Sequence, residues 1–298
     1  MEHQEFFSSL TRNRREFEEV VKEIRPDLHR YCARVVGSAI DAEDVVQEAL
    51  AKAFYTLSTM TVTNMPGWLM RIAHNKAIDF LRREGRQPVD YAEEFPVADE
   101  PDVPLQKKEA LTLAVSLFLK LTPKQRSCVV LKDVMDYSLA EISELLDWSI
   151  PEIKAALHRG RARLRELSET VSEQRPEDPP REARELLARY VDRFNARDFD
   201  AVRAMLAEDV RLDMVGRAQR RGAEVKEYFT RYREVAPRRF AIGTVEERPA
   251  ILGYYLDPPS EQPSFFILLE WKEGRVSLIR DYLFAPYVIR EAHVRTGD

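Results

Sequence analysis

The sequence predicts a multidomain fold: two all-α units followed by an α+β unit. Apolar residues recur at the helical period of about 3.6 through residues 1–86 and 105–172, and the period falls to about 2 beyond Pro180. Between these blocks lie two stretches that concentrate proline and charge and lose periodicity.

At 298 residues the chain is long for one core, so several domains are expected. Hydrophobic residues make up 44% and charged residues 33%, with a formal net charge of −5; this excludes a uniformly basic polymer binder, and any basic patch must be local. No apolar run reaches the roughly 18 residues of a membrane span, and Met1–Arg15 is polar and charged, so a cytoplasmic protein without membrane contact is expected. Cys32 and Cys128 sit in apolar helical patterns without neighbours at zinc spacing, and His3, His29, His74, His158 and His293 are scattered. Buried thiols, no disulfide, no metal and no cofactor follow.

The first linker, Gln87–Pro104, holds four prolines among six acids; the second, residues 173–181, contains Pro176, Pro179 and Pro180. The expected organisation is therefore 1–86, linker 87–104, 105–172, linker 173–181 and 182–298.

In the first unit, Asp41-Ala-Glu-Asp opens a helix with an acid at the cap, and Val45, Val46, Ala49, Leu50, Ala53, Phe54 and Leu57 form its apolar stripe. Asp44, Gln47 and Glu48 occupy the other face. That face is either a solvated acidic surface near a helix N-terminus or a docking surface for a basic partner. A second helix starts near Pro66, burying Leu69, Ile72, Ala73, Ala77 and Phe80 and presenting Trp68, Arg71, Asn75, Asp79 and Arg82. From Arg71 to Arg86 five basic residues face two acids, a local +3. Basic side chains reach phosphates, Asn and Arg read base edges, and Trp either stacks on a base or belongs to the core.

The second unit contains Leu121-Thr-Pro-Lys-Gln-Arg126, with Thr122 as cap and Pro123 at the first helical position, then the capping boxes Ser138–Glu141 and Ser149–Glu152. A short helix, a turn through Asp147 and Trp148, and a longer helix make a helix-turn-helix with Ile153, Leu157, Gly160, Leu164 and Leu167 inward. From Ser149 to Arg165 five basic residues face one acid. That helix suits the major groove, its first turns on bases and its distal arginines on phosphates.

At these residues the chain resembles the extracytoplasmic-function (ECF) group of bacterial sigma factors. Asp41-Ala-Glu-Asp-Val-Val-Gln-Glu48 is similar to the segment that binds the β′ clamp helices of core RNA polymerase, Trp68–Arg83 to the element that recognises and melts the minus-ten promoter region, and Leu121–Arg126 with Tyr137–Arg165 to the minus-thirty-five reader. The resemblance covers about residues 14–168. It implies polymerase contacts at Asp41, Asp44, Gln47 and Glu48, minus-ten contacts at Trp68, Arg71, Asn75, Lys76, Asp79, Arg82 and Arg83, and base capture by the loop Ser58–Met65. It implies minus-thirty-five contacts at Lys124, Arg126, Ser149, Lys154, His158, Arg159, Arg161 and Arg163, and a second polymerase contact at the β flap. The chain departs from many relatives at Ala155 and Ala156, where Ser and Arg are common, which shifts upstream recognition to Lys154, His158 and Arg159.

Beyond Pro180, helices at about 182–197, 199–207 and 222–235 mix with strand-like runs at 210–215, 250–256, 264–271 and 276–283. Arg184–Asn195, Asp198–Arg211 and Gly222–Phe229 resemble the start of a SnoaL-like domain, the cone shared with nuclear transport factor 2. The resemblance implies an apolar pocket open to a small ligand, with Asp213, Glu270 and Asp281 as its carboxylates, while Trp271, Tyr254 and Tyr255 pack the sheet. No acid–base constellation marks a catalyst. Several ECF groups use this extension to tune the sigma domains through intramolecular contact; one of them has Asp-Gly-Gly-Gly where this chain has Met214–Gln219. The remaining alternatives are a one-component helix-turn-helix regulator with a ligand-sensing cone, and an isomerase or cyclase fused to a DNA-binding module.

Overall fold

A computed structural model describes residues 2–57, 62–85, 115–170, 181–234 and 238–297, so the whole of the acidic linker 87–104 and the Pro176–Pro180 stretch lie outside the described residues. The chain divides into two compact units, Met1–Glu173 and Gln174–Asp298. No described helix is long and apolar enough to cross a membrane.

Three helices open the first unit: α1 (Glu2–Val36), α2 (Ala39–Leu57) and α3 (Met65–Arg83). Leu28, Tyr31, Cys32 and Val36 of α1 pack with Ile40, Val46, Ala49 and Ala53 of α2 and Leu69, Ala73, Ala77 and Leu81 of α3. Each buried Leu, Ile or Val among them contributes about 1.5–3 kcal/mol through removal from water, and each alanine methyl less. The α1–α2 corner corrects one sequence reading: α2 begins at Ala39 and its cap is Ser38, whose hydroxyl accepts from the Asp41 amide at 3.0 Å. Asp41 therefore lies in the first turn, where a carboxylate still favours the positive end of the helix. Two stripe residues are less buried than their spacing predicts, Phe54 at 45% exposure and the half-buried Phe80. Gly37 turns the corner with φ 79°, and its missing Cβ makes room for Leu119, whose Cγ would lie 2.2 Å from that atom.

The rest of the first unit comprises α4 (Val115–Phe118), α5 (Pro123–Val129) continued by a π-helical turn (Val130–Val134), α6 (Leu139–Leu146) and α7 (Ile150–Thr170). Both groups of the α5 box pair, Thr122 with the Gln125 amide and Gln125 with the Thr122 amide, and the Ser138–Glu141 box at α6 is likewise complete. Asp147 ends α6 in the left-handed region, φ 57°, producing the tight turn, while Glu152 accepts from the Ser149 amide at 2.9 Å. α7 closes on α5 at Gly160, where a Cβ would stand 2.8 Å from Val129 Cγ2.

The second unit is a mixed seven-stranded sheet, order β2-β1-β6-β5-β4-β3-β7, from β1 (Leu206–Met214), β2 (Ala218–Arg221), β3 (Arg238–Val245), β4 (Arg248–Tyr255), β5 (Phe265–Lys272), β6 (Arg275–Asp281) and β7 (Val294–Thr296). Only β1 and β6 among these neighbours run parallel. Helices α8 (Arg181–Asn195), α9 (Phe199–Ala204) and α10 (Val225–Glu234) cover one face around Tyr190, Phe194, Phe199, Phe229, Phe240 and Phe265. Helix α11 (Pro286–Glu291) follows the last long strand. Four of these elements, β2, β3, β7 and α11, carry no clear sequence signal. Strand β3 starts with two arginines and contains Gly243, which interrupts the alternation; a Cβ there would lie 2.4 Å from the Arg295 carbonyl of β7 and from Leu252 of β4. This α+β arrangement is the cone expected from the sequence.

Candidate nucleic-acid and polymerase interface

On α2, Asp44 and Glu48 are exposed and Asp41 and Gln47 half-buried, so the acidic face is presented as one ridge. Its fourth acid, Glu43, was not singled out by the sequence: it is fully buried, ion-paired with Arg25, and accepts from Gln47 Nε2 at 3.4 Å. Glu43 holds α2 against α1 and orients Gln47. Glu48 lies 3.2 Å from Lys76 Nζ and 3.4 Å from an Arg83 guanidinium nitrogen. Partial burial opposes ionisation of Glu48, but these two cations outweigh it and hold the carboxyl below the usual glutamate range.

On α3, Arg71, Asn75, Asp79, Arg82 and Arg83 are exposed and Trp68 is half-buried. Asp79 and Arg82 pair along the helix at 3.5 Å. Asn64 caps α3 by accepting from the Gly67 amide at 3.0 Å, which fixes the end of the entry loop. Residues 58–61 of the base-capture loop lie outside the described residues. His74 is buried beside Tyr31, Oη to Nδ1 2.7 Å; burial pushes its pKa down to about 4, so it is neutral at pH 7.

On the helix-turn-helix, Ser149, Lys154, Arg159 and Arg163 are exposed and His158 is half-buried. Ala156 is 1% exposed, so that position belongs to the packed side of α7. Lys124 bridges to Glu152 at 2.9 Å and sits 4.9 Å over the Trp148 ring. Two predicted contacts require correction. Arg126 is fully buried, donating to the carbonyls of Val35, Leu119 and Leu121, and Arg161 is 3% exposed, paired with Asp133 at 2.7 and 2.9 Å. Both guanidiniums are consumed inside the unit, since burying a cation demands such partners. Helical spacing counted their charge but could not show carbonyl and carboxylate partners remote in sequence.

In the second unit the three carboxylates separate. Asp213 pairs with Arg280 at 3.6 Å, Glu270 is exposed, and Asp281 is fully buried. Asp281 accepts from Tyr228 Oη at 2.7 Å, from Tyr232 Oη at 3.4 Å and from the Leu283 amide at 2.9 Å. Burial raises its pKa, and the three hydrogen bonds only partly offset that. A cavity of about 160 Å³ is lined by Leu187, Leu268, Leu269 and Trp271 with Arg248, Arg280 and, of the three carboxylates, Glu270. Tyr254 is 3% exposed and Trp271 meets Tyr190 edge to face, but Tyr255 is 39% exposed.

Family models match the chain in order: sigma-70 region 2 at residues 20–87, sigma-70 region 4 at 111–164 and a SnoaL-like domain at 187–255. The ECF RNA polymerase sigma factor SigW of Bacillus subtilis is 31% identical over 165 residues, covering 50% of this chain and 87% of SigW. The chain belongs to the ECF sigma factor family. ECF sigma factor SigG of Mycobacterium tuberculosis is 30% identical over 203 residues, 59% of this chain and 55% of SigG, so this ECF chain spans about half the length of that relative. The crystal structure of the M. tuberculosis ECF sigma factor SigJ aligns over 88% of this chain and 95% of that one, with 17% identity and a TM-score of 0.35.

Proposed function

We propose that this ECF sigma factor recruits core RNA polymerase to specific promoters and starts transcription there. In this reading the α2 ridge with Asp41, Asp44, Gln47 and Glu48 binds the β′ clamp helices. The exposed side of α3, with Trp68, Arg71, Asn75, Asp79 and Arg82, reads and melts the minus-ten element. On α7, Lys154, His158, Arg159 and Arg163 meet the minus-thirty-five element, with Ser149 at its N-terminus. The observation that carries the reading is the adjacency of the acidic ridge and the α3 cations, joined at Glu48, Lys76 and Arg83. One small region thereby offers a protein-binding and a DNA-binding surface, and single-stranded DNA captured on α3 offsets the few kcal/mol that unstacking costs.

The SnoaL-like unit modulates this output and does no chemistry of its own. Its buried carboxyl, Asp281, supports that: Tyr228 and Tyr232 enclose it, which leaves no place for a substrate in this conformation. Reconstitution with core polymerase on promoter DNA tests the proposal. Specific initiation by the full chain, lost in Asp44→Lys, is expected; duplex binding without initiation overturns it in favour of a one-component regulator. Truncation after Glu173 is expected to alter promoter output.

A further inference from the structure

The outward face of α7 is a line of small side chains between two rows of cations. At about 100° per residue, Pro151, Ala155, His158 and Ala162 fall on one line along the helix, with Lys154 and Arg165 to one side and Arg159 and Arg163 to the other. Pro151 is exposed, and Ala155, His158 and Ala162 are half-buried. At the first turn Ile150 is 41% exposed, although Ile153, Leu157 and Leu164 of the same helix are 0%, 2% and 1% exposed.

The polar groups at that end of the helix serve one another. The Ser149 hydroxyl donates to Glu152 at 2.7 Å, the Ser149 amide donates to the same carboxylate at 2.9 Å, and Lys124 bridges to Glu152 at 2.9 Å while lying over the Trp148 ring. A base edge would have to displace these bonds to reach Ser149, Glu152 or Lys124. The side chains of α7 left to meet bases in its first two turns are Ile150, Pro151, Lys154 and Ala155.

We propose that α7 reads thymine by its 5-methyl group: Ile150, Pro151 and Ala155 form an apolar surface that packs on thymine methyls in the major groove of the minus-thirty-five element. The inference rests on, and deepens, the upstream-reading role given to α7.

Chemistry selects the occupant. Of the four bases only thymine carries a methyl group on its major-groove edge, and small apolar side chains are the groups that match it. A base donor or acceptor buried against the same side chains would lose its hydrogen bond to water without replacement, whereas a methyl is stabilised by leaving water.

Shape and charge agree. The major groove is about 12 Å wide and a helix with its side chains ~10–12 Å across, so the rows of cations on either side of the line face the two phosphate strands. Alanine at 155 and 162 keeps the side chains on that line short, which lets the helix backbone approach the base edges. An apolar stripe for a protein partner would not call for a cation row on each side.

The probe is a promoter duplex from which the full chain with core RNA polymerase gives a run-off transcript, with the thymines of its minus-thirty-five element replaced one at a time by deoxyuridine. That replacement removes the methyl and leaves every hydrogen-bonding group in place. Wild-type holoenzyme is expected to bind at least one deoxyuridine duplex about fourfold more weakly, the loss of one buried methyl. The double variant Ile150→Ser/Ala155→Ser is expected to bind thymine and deoxyuridine at that position equally. Neither residue is buried, and the comparison on the wild type needs no variant. Equal affinity of the wild type for thymine and deoxyuridine at every position overturns the proposal, as does a thymine preference that the double variant retains in full. Arg159→Ala on the same duplexes separates this from the functional reading. With no methyl effect, a salt slope still lowered by Arg159→Ala keeps α7 on the DNA and sinks only the methyl readout, while an unchanged slope sinks both.

Discussion

Asp133 and Arg161 close a bidentate ion pair inside the helix-turn-helix, with nitrogen–oxygen distances of 2.7 and 2.9 Å and side chains 3% and 4% exposed. It fastens the π-helical turn after α5 to the middle of α7, which sets the angle at which Lys154 and Arg159 are presented. Removing one partner of such a pair leaves a buried charge and costs about 3–5 kcal/mol. Asp133→Ala is therefore expected to lower the melting temperature of the first unit by roughly 10 °C, at about 2–4 °C per kcal/mol for a body of this size. The double variant Asp133→Leu/Arg161→Met is expected to recover most of that loss. A double variant no more stable than Asp133→Ala in a thermal melt would show that the pair is not the source of the effect.

Glu48 couples the acidic ridge to the α3 cations. Its folded pKa is depressed, so the contribution of its ion pairs is present above the ordinary glutamate value and fades as pH falls through the depressed folded one. A carboxyl NMR titration should give a midpoint below 4.5, and it should move up toward that value in Lys76→Ala. A midpoint at or above 4.5 in the wild type contradicts the arrangement. The pair is exposed, so high salt should weaken the depression.

Asp281 behaves in the opposite sense. Its folded pKa is raised, so the neutral carboxyl favours folding fully below the unfolded pKa of 3.8, and that contribution is lost as pH rises through the raised folded value. Denaturant unfolding of the second unit, read on Trp271, should show stability declining over that window in the wild type and a flatter profile in Asp281→Asn. Asp281→Leu leaves the Tyr228 hydroxyl and the Leu283 amide without their acceptor, and each such loss costs about 1–3 kcal/mol. Identical pH profiles for wild type and Asp281→Asn would remove Asp281 as the titrating group.

Arg159 is the exposed cation nearest the middle of α7. Arg159→Ala should reduce output from the cognate promoter and lower the salt slope of holoenzyme–promoter binding by about 1, the loss of one phosphate contact. Arg161→Ala should instead act through stability, leaving the slope of the folded fraction unchanged. Unaltered transcription by Arg159→Ala would move upstream recognition to other residues.

The sequence by itself determined the local parts of this protein. The Thr122–Gln125, Ser138–Glu141 and Ser149–Glu152 boxes each close within three residues, so capping chemistry alone fixed where α5, α6 and α7 begin and with them the helix-turn-helix. The α2 and α3 stripes, the acidic ridge and the switch to a period of two beyond Pro180 are equally local, and they sufficed for the family and the α+β class. Tertiary structure decided what depends on distant partners. Arg126 reaches Val35 across 91 positions, Tyr228 reaches Asp281 across 53, and Arg161 reaches Asp133 across 28. Periodicity reports which face of a helix a side chain occupies; what covers that face depends on chain segments elsewhere. For that reason two arginines that read as DNA contacts are buried inside the protein, and Arg71 on the face of α3 that reads as a DNA surface donates to the Glu144 carbonyl of α6.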